Sequence, residues 1–122
     1  AVEYLIIHPK PLAAAFGLGI VFPALVLIAT TGFVEELVFR GIMQRAFIEG
    51  VGRRGIIYVS VVFAVLHIGY LFAADVAFVF VVSLFFAWMR ERTGSLLGIS
   101  LAHGITNAVL YLVAPFWVTL LL

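Results

Sequence analysis

The sequence has no cysteine and very little charge. Without cysteine there is no disulfide framework, no thiolate nucleophile and no cysteine-ligated zinc. Charged residues make up 11% of the 122 positions and hydrophobic ones 66%, with a mean hydropathy of +1.29. A soluble domain is about half apolar and about a quarter charged. This chain cannot cover itself with a polar surface, so lipid must be the solvent for most of it. The net charge is only +1, and no basic stripe exists to displace phosphate counterions, which argues against a nucleic-acid partner. Internal repeats and low-complexity linkers are also missing, so residues 1–122 read as a single membrane domain. The first long apolar stretch lacks a cleavage pattern and reads as a span, not as a signal peptide.

What is present is a series of uncharged runs separated by short polar breaks. His8-Pro9-Lys10-Pro11 resists helix and suits a membrane interface. Leu12 to Thr31 is long enough to span, and Pro23 predicts a kink in it. Phe33 to Glu49 reads as a helix ending at Gly50. A break at Thr30-Thr31-Gly32 would separate the two. Without it, one helix over 12–49 would be roughly 57 Å long, against a bilayer core of ~30 Å. Ile56 to Leu71 and Val76 to Met89 follow, joined by an Ala73-Ala74-Asp75 turn. Ser95 to Ala114 is the last full span, interrupted by Pro115. Lipid admits only helices or closed barrels, and these runs are too long for barrel strands. The expected fold is all-α, an integral membrane bundle of four to five transmembrane helices. Arg53 and Arg54 lie in one loop and Arg90 and Arg92 in another, two spans apart and hence on one side. The positive-inside rule makes that side cytoplasmic, in a cell-membrane protein. Lys10 joins them only if Thr31-Gly32 is a hairpin.

Against this background, Glu35-Glu36-Leu37-Val38-Phe39-Arg40-Gly41 stands out, because charges inside a bilayer are costly and imply a function by default. Counting at about 1.5 Å per residue puts Glu35, His67 and His103 roughly 15–20 Å from the arginine side. Three segments thus bring polar groups to one layer. Asn107 follows His103 by one turn on the same helix face. Glu36 and Arg40 are four apart, with the acid first, and suit a structural ion pair. That leaves Glu35 without an obvious cation, which suits a general base.

Each residue has a plainer reading as well. His67 or Asn107 alone serves equally well as an interhelical hydrogen bond. Ser60, Ser83, Ser95 and Ser100 have no evident base, and the phenylalanines read as packing or lipid-facing groups. Taken together, two histidines, a glutamate and an asparagine suit hydrolysis. Glu35 takes a proton from water, His67 orients that water, and His103 with Asn107 stabilises the oxyanion. A divalent metal such as zinc, held by Glu35, His67 and His103, is a second route. No HExxH and no G-x-S-x-G is present. Outside enzymology, the same polar layer fits a non-catalytic membrane scaffold or a proton or ion path.

Glu35-Glu36-x-x-x-Arg40, Phe63-x-x-x-His67 and His103-x-x-x-Asn107 resemble, in order, the three motifs of the CPBP intramembrane protease family. That family includes type II CAAX prenyl endopeptidases and bacteriocin-processing or immunity proteins. Arg40-Gly41 and Glu91-Arg92-Thr93-Gly94-Ser95 are similar as well, and the resemblance covers about residues 24–113. It implies an intramembrane endopeptidase acting on a peptide or lipidated peptide, cleaving after a prenylated cysteine. Glu35 would activate water with help from His67, His103 and Asn107 would stabilise the oxyanion, and Glu36 and Arg40 would support them. Immunity proteins of the same family make a non-catalytic role the counterpart expectation.

Overall fold

Long uncharged runs with few helix breakers satisfy their backbone groups internally, and helix is the local result. The computed structural model describes the backbone of residues 2–12, 17–68 and 73–121, all helix and connection with no strand among them. The first helices are α1 (Val2–Ile7), α2 (Val21–Leu27) and α3 (Gln44–Val51). Then come α4 (Gly55–Val65), α5 (Ala73–Thr93), α6 (Leu96–Ala108) and α7 (Ala114–Leu121). Residues 13–16, in the expected Leu12–Thr31 span, and 69–71, at the end of the expected Ile56–Leu71 span, lie outside the described residues.

Thr30-Thr31-Gly32 does not break the chain. α2 runs through wide π-helical stretches, Ile28–Val34 and Leu37–Met43, straight into α3. The Thr30 and Thr31 hydroxyls donate to the carbonyls of Val26 and Leu27, four residues back, at 2.8 Å each. This is how threonine sits inside a helix. Pro23 falls in the first turn of α2, where its missing N–H costs little, and not mid-helix. The helix from Val21 to Val51 is roughly 45 Å long at about 1.5 Å per residue, which exceeds a ~30 Å core. It must tilt or project, and the arginine corner follows its C-terminal end.

Gly52, at φ 67°, ends α3, and the Gly52–Arg54 corner turns the chain back into α4. Phe47 and Tyr58 pack across that hairpin, with ring centroids 6.2 Å apart. Ala73-Ala74-Asp75 is not a free turn but the first turn of α5, where an acidic side chain suits the helix dipole. Ser95 caps α6, its Oγ accepting from the Gly98 N–H at 3.0 Å. Pro115 does not interrupt the last helix. The π-helical stretch Val109–Val113 lies just before it and absorbs the lost hydrogen bond. Among the described residues three helical runs are long and apolar enough to cross a membrane: Leu18–Val65, bent at the arginine corner, Ala73–Thr93 and Leu96–Val118. With no break at Thr30-Thr31-Gly32, the long helix, α4, α5 and the α6–α7 run make four segments, the lower end of the expected four to five, and the first two together form the bent run Leu18–Val65.

The distribution of polarity is inverted relative to a soluble domain. Leu18 and Phe22 are 91% and 76% exposed, as lipid-facing groups are, while Glu36, Arg40, Gln44, Asp75 and Ser83 are buried. The inside is held by close backbone approach. A Cβ on Gly32 would lie 2.6 Å from the Ser100 carbonyl, and one on Gly104 would lie 2.6 Å from the Ile28 Cα. Small residues thus let the long helix and α6 cross at backbone distance, the usual device where lipid supplies no hydrophobic drive. Gly32 is one turn from Glu36, and Gly104 adjoins His103, so the crossing delivers both side chains to the same place.

Candidate active site

Glu36 and Arg40 pair as their spacing predicts. Arg40 donates to Glu36 Oε1 at 2.9 Å, and both side chains are fully buried. The pair has further partners that spacing could not show. Arg40 also donates to Ser83 Oγ at 2.8 Å and to the Ser83 carbonyl at 3.3 Å, reaching across to α5. Its guanidinium lies 4.3 Å from the centroid of the Phe63 ring on α4, a desolvated cation–π contact. The Nδ1–H of His103 donates to the same Glu36 Oε1 at 2.7 Å. One carboxylate therefore ties the long helix to α6, and one arginine ties it to α4 and α5. Closer to the arginine corner, Gln44 repeats the pattern, donating to the Ala87 carbonyl at 3.0 Å and to Glu91 at 2.9 Å.

His67 sits just past the end of α4. Its Nδ1 is 2.8 Å from the Phe63 carbonyl. A carbonyl only accepts, so Nδ1 carries the hydrogen, and the neutral ring presents a bare Nε2 lone pair. Phe63 flanks both histidines, with ring centroids 4.7 Å from His67 and 5.9 Å from His103. Phe86 stands 5.9 Å from His103. The aromatic walls limit the orientations open to the two imidazoles.

Two cavities meet here. One of about 60 Å³ is bordered by His67, His103 and Asn107, together with Arg40, Phe63 and Ser83. The other, of about 230 Å³, is bordered by Glu35, His67 and Asn107 together with Thr31 and Tyr111. His67 and Asn107 belong to both. Half-buried Glu35 opens only on the second, and buried His103 only on the first. The six residues singled out in the sequence thus fall into two groups. Glu36, Arg40 and His103 form a bonded cluster, and Glu35, His67 and Asn107 line the cavity beside it. As for the metal alternative, no three His, Asp or Glu groups among the described residues are placed to share one ion. Glu35, His67 and His103 as they stand do not fit a three-ligand zinc site, and no step is derived through one.

Residues 12–109 match the family model described as type II CAAX prenyl endopeptidase Rce1-like. The chain belongs to this family. No curated protein and no solved structure gives a match. The family match together with the apolar helices makes this a membrane protein, and the matched segment contains Glu35, Glu36, Arg40, His67, His103 and Asn107. Two site residues escaped the sequence reading. Ser83 was set aside for want of a base nearby, when its partner is an arginine 43 residues earlier in the chain. Glu3, on α1, borders both cavities, and nothing in its amphipathic surroundings signals that.

Proposed function

We propose that this CAAX endopeptidase family member is an intramembrane endopeptidase in which Glu35 activates water against a peptide bond near a prenylated C-terminus. The supporting observation is that His67 and Asn107 line both cavities and so connect Glu35 to His103. Water between Glu35 and His67 gives one proton to the carboxylate and a hydrogen bond to the bare Nε2 of His67. The oxygen attacks the carbonyl carbon, and the carbonyl electrons move onto its oxygen. The Asn107 amide and the His103 ring donate to that oxyanion. The Glu36 contact holds the His103 ring in place. The arginine-bearing ends face the cytoplasm in this reading. Their common side is supported by Arg45, Glu49, Arg90 and Glu91, which border one pocket between the end of α3 and the end of α5.

A scaffold or immunity role is the second reading, favoured by the same bonded cluster, since Glu36, Arg40 and Ser83 have the partners of a structural clamp. The two separate in reconstituted vesicles with a prenylated peptide ending in three further residues. The peptidase reading predicts that Glu35→Gln and His67→Ala each lower cleavage by about 10²-fold or more, with helix content and thermal stability retained. A parent chain that cleaves nothing, or a Glu35→Gln variant as active as the parent, would sink it in favour of the scaffold.

A further inference from the structure

Hydrolysis of an amide needs a proton at the leaving nitrogen as well as a base at the water. Glu35, once it holds the water proton, can return it, but it borders only one of the two cavities. The His67 Nδ1–H is committed to the Phe63 carbonyl and the His103 Nδ1–H to Glu36. Arg40 is held by Glu36 and Ser83 and keeps its proton at any physiological pH. The Asn107 amide, the Thr31 and Thr106 hydroxyls and the Tyr111 phenol, which also border the cavities, release protons only far above neutrality. One more acid is present. Glu3 borders both cavities, as do His67 and Asn107.

Its placement is not accidental to the packing. Tyr4, the next residue, is buried in a cluster with Leu110 and Ala114, and Ile7 packs on the same cluster. The Leu12 N–H donates to the Tyr111 carbonyl at 3.2 Å, fastening the chain after α1 to the last helical run. α1 is thereby pinned against the last helical run, with Glu3 in the lining of both cavities. Asp75, in the first turn of α5, is 1% exposed and has no hydrogen-bond partner for either carboxyl oxygen among the described residues. It adds a second acid in electrostatic reach of Glu3 and His67.

We propose that Glu3 is a further catalytic residue, the acid that protonates the leaving nitrogen. This rests on the peptidase reading above. As the tetrahedral intermediate collapses, the oxyanion electrons re-form the carbonyl and the carbon–nitrogen bond breaks. The departing nitrogen takes the proton of the Glu3 carboxyl. Glu3 ends as a carboxylate and Glu35 as an acid, and proton exchange through water in the adjoining cavities restores both. Burial pushes the Glu3 carboxyl above the usual carboxylate range, and Asp75 pushes it further, against the opposing effect of His67 and His103. A carboxyl that keeps its proton closer to neutrality is the better general acid. Glu3 precedes the matched segment 12–109, so membership of the family does not assign it this role.

Leaving-group dependence tests the proposal. The full chain in vesicles is given a prenylated peptide and the matching ester, in which oxygen replaces the scissile nitrogen and departs with less need of a proton. Glu3→Gln should lower amide cleavage by about 10²-fold or more and ester cleavage by only a few-fold. In the parent chain, the ratio of amide to ester cleavage should fall as pH rises and Glu3 loses its proton. A change in any group that serves both substrates cancels in that ratio, so the profile serves even if Glu3→Gln folds poorly. Equal losses on both substrates, or amide cleavage untouched, with a pH-independent ratio, would leave α1 a mere strap and overturn the assignment. If Glu35→Gln abolishes both reactions while Glu3→Gln spares the amide, only the Glu3 role falls. A parent that cleaves neither substrate overturns the peptidase reading and Glu3 with it.

Discussion

The long helix carries two acid–arginine pairs at the same spacing, five residues apart. Glu36–Arg40 closes at 2.9 Å and Arg45–Glu49 at 3.0 Å. In local geometry they are the same interaction. The first is fully buried, whereas the side chains of the second are 81% and 66% exposed. The first has three further partners in Ser83, Phe63 and His103, and the second has none among the described hydrogen bonds. Two charges in water interact weakly and are screened, while two charges withdrawn from water must satisfy each other or leave a large desolvation penalty. Spacing makes a pair possible, but surroundings decide whether it holds a fold together.

The largest expected effect comes from breaking the buried pair on one side only. Arg40→Ala leaves the buried Glu36 carboxylate with His103 alone as partner and should cost about 3–5 kcal/mol. The double variant Glu36→Leu with Arg40→Met should cost less than Arg40→Ala alone, because it leaves no buried charge behind. Denaturation midpoints in mixed micelles order the variants. If Arg40→Ala proves no worse than a change at Arg45, burial is not what distinguishes the pairs.

Next comes Ser83. Ser83→Ala removes one charge-assisted hydrogen bond to Arg40 and keeps the backbone acceptor, so a loss of about 1.5–3 kcal/mol is expected. It should also loosen α5 against the long helix. Catalysis should fall less than stability, since Ser83 holds Arg40 and otherwise only borders the smaller cavity. A midpoint unchanged within error would mean that the backbone carbonyl alone satisfies the guanidinium.

The same contrast explains what could be read without coordinates. Local relations were legible: the Glu36–Arg40 register, the shared face of His103 and Asn107, and the start of the last span at Ser95. The expectation that Glu35, His67 and His103 converge also came from counting along helices, and the structure brings them to adjoining cavities. Long-range partners were not legible. Nothing near Ser83 announces an arginine from another helix, and a glycine after two threonines looks the same whether it turns the chain or admits a crossing helix. At Gly32 it admits one, and the Thr30 and Thr31 hydroxyls fold back on the helix instead of ending it. Pro115 misled for a related reason, since a widened turn just upstream can house a proline that an α-helix would not. Glu3 was hidden because α1 is held by tertiary contacts of Tyr4 and not by any pattern of its own.

The smallest effect belongs to the exposed pair, and it is the sharper control. Arg45 precedes Glu49, the less favoured order for a helical pair, and Glu49 lies near the negative end of α3, which ends at Val51. Arg45 therefore offsets an unfavourable position more than it adds a bond. Arg45→Ala should change stability by no more than about 0.5 kcal/mol. Whatever difference exists should shrink in high salt, because exposed charges are screened over about 10 Å at 0.1 M. The Arg40→Ala deficit, formed out of reach of ions, should persist at the same salt. Equal salt sensitivity of the two variants would show that water reaches Glu36, and the dry clamp between the long helix, α5 and α6 would have to be abandoned.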